Sequence, residues 1–483
     1  MKRAVVGWES TSPITDRSLN RYLNARNGRL FYEDLDLAAL FEEKGRSLKL
    51  GREIHSPLEI VYLPMIRRQI HNMRDIFSQA IEDVGYAGQF RYAYASKANA
   101  AEEVIRTTLK AGAQHEISSL MDIEILRVMQ ERGILDPQTM ILCNGFKPPN
   151  SSYADKIVQF KREHDPVIPV IEDIPELKPL IESRLHFEVG LRQKSYGLHR
   201  DLSEMDSANS RFGMNVDDIF KAAEIAQSSP NIHLKLYHAM VGSQIVDIDN
   251  FVDRLRPPIE IFAQLRQKYP ELSVFDFGGG VPVAMTLDFE CDYLAFAVNL
   301  LSTIKDICDK YRVQVPDVIG EFGRYTVTEH GAHLFKIISV KDNTSKYPWY
   351  IIDGSIMSSF PDSWALGEHF TVLPLNHLDR PFHRVQLGGL TCDSDDIYPP
   401  HKSKSPLFLP VDAEDLYIGF FGIGAYQEML GGAGGSKHCV IPEADELIIE
   451  RDQDGKYQFD LIAGQGPRAV LGNLGYRPRG KQS

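Results

Sequence analysis

The sequence predicts an α/β fold class, a (β/α)8 TIM-like barrel followed by a C-terminal β domain, and two patterns along its 483 residues carry that prediction. Between about residues 58 and 335, short apolar segments typical of strands alternate with segments of helical periodicity. After about residue 336, strand-like segments follow one another without helices. Alternating strands and helices favour a parallel barrel, whereas successive strands favour a sandwich or antiparallel barrel.

Eight apolar segments account for the barrel strands. The first, LEIVYLP, is interpreted as the strand that leads into the barrel, and the second, FRYAYAS, precedes the helical segment AAEEVIRTTLKAG. In chain order the segments are LEIVYLP, FRYAYAS, TMILCNG, VIPVIED, HFEVGLR, IHLKLYHAMVG, SVFDFGGG and PDVIGEFGR. Most of them precede a helical segment, so the count is close to the eight βα units that close such a barrel.

The remaining segments are assigned to the β domain. Its strand-like segments are LFKIISVKD, WYIIDGSI, FTVLPLN, HRVQLGGLTC, DLYIGFFGIGAY and KHCVIPEADELIIERD. The segment GRLFYEDLDLAALFEEKG, which precedes the barrel, is expected to add a strand and a helix to the same domain. The predicted organisation is therefore an N-terminal segment at 1–57 that joins the β domain, a barrel at 58–335, and a β-sandwich or β-barrel domain at 336–483.

Composition excludes several classes of partner. The formal net charge of −13 argues against nucleic acid, since proteins that bind it present basic surfaces. No apolar run approaches the ~18 residues that span a membrane, and MKRAVVGWESTSP is too polar for a signal peptide. The cysteines Cys143, Cys291, Cys308, Cys392 and Cys439 form no CxxC pair, which favours free thiols over disulfides or a zinc site. We expect a cytoplasmic protein without a metal.

Reactive side chains recur where the predicted barrel strands end, which is where (β/α)8 barrels hold their active sites. The residues in such positions are Lys97, Asn144, Arg192, Ser243, Gly278, Gly279, Gly280, Glu321 and Arg324. A partly desolvated lysine can form a Schiff base, and a glycine triplet lets backbone N–H groups approach a phosphate. Together they suggest a phosphorylated cofactor that carries a carbonyl group. Taken singly, Lys97 also fits a surface lysine and the triplet an ordinary turn.

Six short motifs occur in a characteristic order between about residues 60 and 430. They are YASKAN, VGSQI, FGGGVP, GEFGR, TCDSDD and GAYQE. In this order they resemble the fold-type III pyridoxal-phosphate decarboxylases, which have an alanine racemase-like barrel and include ornithine, diaminopimelate and biosynthetic arginine decarboxylases. The segments CNGFK, LGGLTCDSDD and GFFGIGAYQEMLGGAGGSKHCVIPE resemble the arginine decarboxylases more than the diaminopimelate enzymes.

The resemblance implies a role for each matching residue, with pyridoxal 5'-phosphate as the cofactor. Lys97 resembles the lysine that forms the Schiff base, and Glu321 resembles the carboxylate that pairs with the pyridine nitrogen. Cys392 resembles the acid that protonates Cα after decarboxylation, and in this family it comes from the partner subunit of a homodimer. The other implied cofactor-binding positions are Met240, Ser243, Gly278, Gly279, Gly280, Gly323, Arg324 and Tyr426.

The resemblance also implies a basic L-amino acid as substrate, arginine first and then ornithine or lysine. Asp353 and Asp393 match positions that hold the distal cation, and two carboxylates suit an ammonium or a guanidinium group. Asp396 either assists them or anchors its loop. The polar stretch 192–213 lies where relatives carry a mobile loop, and it is either a lid that excludes water or a solvated loop.

Three positions depart from the family pattern. Met240 stands where relatives stack a histidine on the pyridine ring, and His238 lies two residues earlier. A methionine sulfur can still pack against an aromatic face. Phe322 replaces a proline, and Glu116 replaces an aspartate while keeping its charge.

Two other functions fit these residues less well than decarboxylation does. A racemase would set an arginine against the pyridine nitrogen and use a tyrosine as second base, so Glu321 and Cys392 speak against it. A non-catalytic regulatory homologue would not need Lys97, Glu321 and Cys392 together.

The segment GGAGGSK lacks the G-K-[ST] order of a P-loop, and His438 and Cys439 beside it are interpreted as structural rather than metal-binding.

Overall fold

The structure, a computed structural model, describes residues 5–42, 50, 52–194, 210–342, 346–432, 434–435 and 437–476. The chain divides into two compact units. The barrel unit comprises Ile66–Val283 and Cys291–Thr326, and the β unit comprises Met1–Met65, Ala284–Glu290 and Val327–Ser483. Within the described ranges, no helix is both long enough and apolar enough to cross a membrane.

Strands and helices alternate regularly in the barrel unit, whereas the β unit consists mainly of strands. In chain order the strands are β1 Arg17–Ser18, β2 Leu23–Arg26, β3 Arg29–Tyr32, β4 Leu35–Asp36, β5 Leu58–Tyr62, β6 Phe90–Ala95, β7 Gln114–Ile117, β8 Ile141–Cys143, β9 Val167–Ile171, β10 Phe187–Gln193, β11 Ile232–Ala239, β12 Val274–Asp276, β13 Asp317–Phe322, β14 Gly331–Lys341, β15 Trp349–Ile352, β16 Thr371–Pro374, β17 Phe382–Gly388, β18 Ile397–Tyr398, β19 Leu407–Pro410, β20 Tyr417–Phe421, β21 Asp445–Arg451 and β22 Tyr457–Ile462. The α-helices are α1 Leu63–Val84, α2 Glu102–Lys110, α3 Leu120–Glu131, α4 Ser152–Phe160, α5 Leu177–Ser183, α6 Val216–Ser228, α7 Ile248–Lys268, α8 Tyr293–Tyr311, α9 Arg324–Val327, α10 Ile356–Ser359, α11 Pro361–Leu366, α12 Gln427–Gly431 and α13 Pro467–Asn473.

Eight parallel strands, β6 to β13, close the barrel in sequence order. Strands of a parallel barrel are covered on both faces and are therefore mostly apolar, as in β9, where all five residues are buried. Buried side chains including Ala93, Leu142, Ile168, Leu236 and Ile319 form one cluster that joins the strands. The predicted eight-stranded barrel is confirmed.

One of the predicted barrel strands is wrong. The segment LEIVYLP forms β5, which pairs with β14 and β21 in the β unit rather than with a barrel strand. Its place in the barrel is taken by β7, which pairs with β6 and β8. Strand β7 contains Gln114, His115 and Glu116, so a search for apolar segments overlooks it, although His115 and Glu116 are fully buried.

The β unit is built on a ten-stranded sheet and a four-stranded sheet, β1 to β4, from the N-terminal segment. Successive residues of β14 belong to different apolar clusters. Leu334 is in the cluster that contains Tyr32 and Leu373, and Phe335 is in the cluster that contains Val372. This alternation follows from the two-residue period of a strand. Burying each large apolar side chain contributes about 1.5–3 kcal/mol.

Short helices interrupt the β unit, so the expectation of strands without helices is wrong there. Helices α10 and α11 lie between β15 and β16, and α12 lies between β20 and β21. They have four, six and five residues, which is too short for helical periodicity to be visible in the sequence. Helix α11 begins at Pro361, whose fixed φ suits the first helical position.

Candidate active site

Four polar side chains meet at the carboxyl ends of β6, β7, β8 and β13. Lys97 lies in the 3-10 turn Ser96–Ala98 directly after β6. Its Nζ lies 3.0 Å from Oε2 of Glu116, which is on the neighbouring strand β7. The Asn144 amide donates to both carboxylates, to Glu116 Oε1 at 3.0 Å and to Glu321 Oε1 at 2.8 Å. The barrel therefore links one amine and two carboxylates through a single amide.

Burial differs sharply across this network. The Lys97 side chain is 47% exposed, whereas that of Glu116 is fully buried. Burial raises the pKa of Glu116, and the Lys97 ammonium opposes the shift. The lysine amine is thus held by a buried partner while it stays accessible from solvent, which suits a group that must react with a carbonyl compound.

A second group of titratable residues lies on β11, β12 and β13. His238 Nε2 is 3.5 Å from Glu321 Oε2, and ligand-type atoms of His238, Asp276 and Glu321 lie within 4.8 Å of one another. Burial would raise the pKa of Glu321, but His238 and Lys97 outweigh it and lower the pKa to about 2. Burial, and then the charge of Glu321, raise the pKa of Asp276 well above its usual value. Glu321 is therefore the ionised carboxylate of the pair, and Asp276 holds the proton.

The glycine triplet forms a cradle that side chains would fill. A Cβ on Gly279 would stand 2.5 Å from the Glu321 carbonyl oxygen, and a Cβ on Gly280 would clash with the Gly242 carbonyl oxygen. Gly280 also has φ +96°, which favours glycine. The same Cβ position on Gly280 is 3.5 Å from the Ser243 Cα, so these two predicted phosphate contacts are neighbours.

Met240 packs against this cradle. Its sulfur accepts a hydrogen bond from the Gly279 N–H at 3.3 Å. A Cβ on Gly278, which has φ +68°, would stand 2.9 Å from the same sulfur. Met240 therefore supports the glycine loop. It occupies the position at which relatives are expected to carry a histidine that stacks on the pyridine ring.

The other predicted positions of the barrel unit lie near the same strand ends. Gly323 follows β13, and a Cβ there would stand 3.0 Å from the Ala98 Cβ, beside the turn that carries Lys97. Arg324 is half-buried and begins α9. Arg192 in β10 pairs with Glu172 at 2.5 Å. Most of the predicted lid, residues 195–209 of 192–213, lies outside the described residues.

The site residues predicted in the β unit fall into two groups that differ in their accessibility to solvent. Asp396 is buried and accepts hydrogen bonds from Thr391, Ser355 and the Met357 N–H, which are the contacts of a loop anchor. The carboxylate of Asp353 accepts from the Lys336 N–H at 2.9 Å, and burial raises its pKa.

The second group is more accessible. Cys392 is exposed, the Asp393 side chain is 30% exposed, and Tyr426 is half-buried at the start of α12. These three residues can therefore meet a ligand or another chain without rearrangement of a core.

Asp276 is a site residue that was not predicted from the sequence, although its segment FDFGGG was. The available signal was a charged residue inside an apolar strand, which is rarely tolerated without a partner. Its Oδ1 accepts from the Gly278 N–H at 2.8 Å, so it also shapes the glycine loop.

These residues fit the cofactor that the resemblance implies. The glycine cradle has no side chains, so a phosphate can approach its backbone closely, and Glu321 is an ionised acceptor suited to a ring nitrogen. Asp276 Oδ2 and His238 Nδ1 are buried and have no hydrogen-bond partner among the described residues. Lys97 supplies the accessible amine.

Comparison with known proteins identifies the family of the barrel unit. Residues 64–328, more than half of the chain, match the family described as "Pyridoxal-dependent decarboxylase, pyridoxal binding domain". The chain therefore belongs to the pyridoxal-dependent decarboxylases. It is an enzyme of the carboxy-lyase class, and its cofactor is pyridoxal phosphate.

Individual relatives are distant in sequence but similar over nearly their full length. The biosynthetic arginine decarboxylase of Prochlorococcus marinus subsp. pastoris is 22% identical, with 87% of this chain and 82% of that protein aligned. The biosynthetic arginine decarboxylase of Geobacter sp. (strain M21) is 23% identical, with 86% and 82% aligned.

Solved structures show the same fold. The biosynthetic arginine decarboxylase from Campylobacter jejuni aligns with a TM-score of 0.78 and 22% identity, over 95% of this chain and 89% of that one. Diaminopimelate decarboxylase from M. jannaschii in complex with L-lysine aligns with a TM-score of 0.76 and 19% identity, over 94% and 98%.

Proposed function

We propose that this protein decarboxylates a basic L-amino acid, converting L-arginine to agmatine and CO2 as a step of polyamine biosynthesis. The observation that carries the proposal is the meeting of Lys97, Glu116 and Glu321 through Asn144 at the barrel's carboxyl end. The choice of arginine is supported by the relatives named biosynthetic arginine decarboxylase, which align over 82% of their length.

The barrel residues divide the work of holding the cofactor. Bound pyridoxal phosphate supplies an electron-withdrawing ring that stabilises the negative charge left at Cα when CO2 departs. Lys97 Nζ is the amine that would tether the cofactor, and the Gly280 N–H, with Ser243, would hold its phosphate. Glu321 keeps a proton on the ring nitrogen, because a carboxylate whose pKa is about 2 stays ionised at neutral pH.

Three residues of the β unit complete the chemistry in this proposal. The Cys392 thiol donates the proton that Cα needs after CO2 leaves, and Asp393 pairs with the distal cation of the substrate together with Asp353. Both Cys392 and Asp393 come from the partner subunit of a head-to-tail homodimer. The proposed location is the cytoplasm, where all five cysteines can stay unpaired.

The substrate is the open part of this proposal. Carboxylates accept an ammonium and a guanidinium group alike, although guanidinium gains more from planar, bidentate pairing. Ornithine and lysine therefore remain the second candidates, with the same chemistry at Cα.

Product analysis by mass spectrometry tests the proposal. Purified protein with pyridoxal phosphate is given L-arginine, L-ornithine, L-lysine and meso-diaminopimelate in one competition, with Lys97→Ala protein as the control. Agmatine as the dominant product is the expected result. Putrescine or cadaverine would contradict the choice of arginine and leave the reaction in place, whereas no amine from any of the four would contradict the proposed reaction.

A further inference from the structure

Two exposed thiols and an imidazole meet at the surface of the β unit. Cys392 and Cys439 are 47 positions apart in the chain, and their sulfurs lie 3.7 Å from each other. His438 precedes Cys439, and one ligand-type atom from each of the three residues lies within 4.8 Å of the other two. All three residues are exposed, so solutes can reach the cluster without opening a core.

The distance between the sulfurs distinguishes two kinds of site. A disulfide requires sulfurs about 2.05 Å apart. Two thiolates bound to one zinc ion by bonds of about 2.3 Å at a tetrahedral angle stand about 3.8 Å apart. The observed 3.7 Å is too long for the covalent bond, and it lets two thiols in contact take up one zinc ion without moving apart.

The surrounding chain holds the cluster in place. Cys392 follows Thr391, whose backbone N–H and hydroxyl are both bound by the buried carboxylate of Asp396. Asp393 Oδ2 faces the His438 Nε2 at 3.8 Å and adds negative charge beside the cluster. A carboxylate that accepts a hydrogen bond from a metal-binding imidazole is the usual means of orienting the ring, and at 3.8 Å Asp393 lies just outside that distance.

We propose that Cys392, Cys439 and His438 form a binding site for a thiophilic divalent cation, zinc, with Asp393 orienting the imidazole. Two thiolates and one imidazole are a donor set that zinc prefers, and three protein ligands leave its fourth position for water or another ligand. The sequence contains no metal-binding motif at this place, because His438 and Cys439 are adjacent and Cys392 is distant in the chain.

The site has a consequence that rests on the proposed function. Zinc bound to the Cys392 sulfur displaces its proton, and this is the proton that the proposed reaction delivers to Cα. Zinc is therefore an inhibitor that acts at the proton donor rather than at the cofactor.

Cobalt(II) serves as the probe of the site. The full-length holoenzyme is reduced, stripped of metal with a chelator, dialysed and titrated with Co²⁺, whose tetrahedral thiolate complexes absorb visible light at longer wavelengths than the cofactor. We expect one Co²⁺ per chain, displaced by one equivalent of Zn²⁺. Because losing even an outer partner costs 10–100-fold in affinity, Cys439→Ser and His438→Ala should each weaken binding by about 100-fold or more.

Matched variants separate the site from general surface chemistry. Cys291→Ser removes another thiol, and His401→Ala removes an exposed imidazole whose Nε2 lies 3.8 Å from Asp395, the same spacing as His438 to Asp393. Both variants should bind Co²⁺ like the wild type. No cobalt absorbance in the wild type, absorbance unchanged in Cys439→Ser, or loss of two thiols to a disulfide in place of metal uptake would overturn the proposal.

An activity measurement ties the site to the reaction. One equivalent of Zn²⁺ should abolish agmatine formation by the wild type, while Cys439→Ser keeps the uninhibited rate with and without zinc. Equal inhibition of both proteins would overturn the inhibitory role. If no variant forms an amine from arginine, the proposed function fails, and the cobalt titration still decides the metal site by itself.

Discussion

Two buried carboxyl groups in the barrel adopt opposite protonation states. Glu321 lies beside His238 and accepts from Asn144, and these partners outweigh burial so that its pKa falls to about 2. Asp276 is buried beside that negative charge, which together with burial raises its pKa. Neighbouring acids whose pKa values are pushed apart can serve different tasks. In the proposed function the charge of Glu321 serves a ring nitrogen, and a proton on Asp276 spares the site a second buried charge.

Replacing Asp276 with asparagine should stabilise the protein more at neutral than at acidic pH. The folded pKa of Asp276 is raised, so its stabilising contribution is present below the unfolded pKa of about 3.9 and is lost as pH rises toward the folded value. Asparagine keeps the acceptor for the Gly278 N–H and has no proton to lose. We expect the free energy of unfolding to rise at neutral pH and to rise less at acidic pH, because only the ionised carboxyl is penalised by burial.

Urea unfolding in mildly acidic and neutral buffers measures this effect. Asp306 is exposed, so Asp306→Asn is the control and should change the free energy of unfolding by less than about 0.5 kcal/mol at each pH. An Asp276→Asn protein that gains nothing between acidic and neutral pH would show that Asp276 is ionised in the folded protein.

Lys97→Ala should remove the covalent attachment of the cofactor. Because Lys97 is the accessible amine held at 3.0 Å from Glu116, we expect loss of the absorbance of the attached cofactor and a fall in decarboxylation by about 10³-fold or more. Borohydride treatment followed by mass spectrometry of the intact chain measures the attachment directly.

Lys156→Ala is the matched control for this change. Lys156 forms an exposed ion pair with Glu124 at 2.6 Å, which is worth less than about 1 kcal/mol. That variant should still gain the cofactor's mass after borohydride. A Lys97→Ala chain that also gains it would assign the attachment to another lysine.

At the scale of secondary structure, the sequence predicts the barrel because its strands are apolar and its helices amphipathic. It misassigns β5 and misses β7, since β7 buries His115 and Glu116 in place of apolar side chains. The strand ends could be identified from sequence, and Lys97 and Glu321 with them. The contacts of Asp276 with its neighbours could not, because they depend on the order in which the closed barrel brings β11, β12 and β13 together.

The loop after β12 has no room for an added methyl group at Gly280. Gly280→Ala places a Cβ against the Gly242 carbonyl oxygen at φ +96°, so the loop must move away from the proposed phosphate position. We expect the dissociation constant of pyridoxal phosphate to rise at least about 10-fold, which corresponds to 1.4 kcal/mol. Titration of the cofactor-free protein, followed by absorbance, measures the constant.

Gly133→Ala separates the clash from backbone strain alone. Gly133 also has a positive φ, +67°, but a Cβ there meets nothing within 4 Å. This variant should lose some stability and keep the wild-type affinity for the cofactor. Equal weakening of cofactor binding by both substitutions would contradict a phosphate-binding role for the loop after β12.

At the scale of the whole molecule, the proposed reaction needs residues from both units of the chain. Lys97 belongs to the barrel unit and Cys392 to the β unit. The exposure of Cys392 fits a residue that another subunit receives, because a proton donor must come within hydrogen-bond reach of the atom it protonates. Homodimers with two-fold symmetry exchange such residues in pairs, so each dimer would contain two composite sites.

Mixing two variants that each fail to form agmatine cleanly tests whether the two subunits share their active sites. Lys97→Ala chains keep Cys392, and Cys392→Ala chains keep Lys97, so a mixed dimer has one site with both residues intact and one with neither. Random reassociation makes half of the dimers mixed, and clean agmatine formation should therefore return to about one quarter of the wild-type rate. Cys392→Ala alone should still release CO2 but protonate the wrong position and give abortive transamination. The control mixes Lys97→Ala with the double variant Lys97→Ala/Cys392→Ala, which restores nothing. If the mixture of the two single variants shows no recovery, Cys392 acts in the site of its own chain or outside the site altogether.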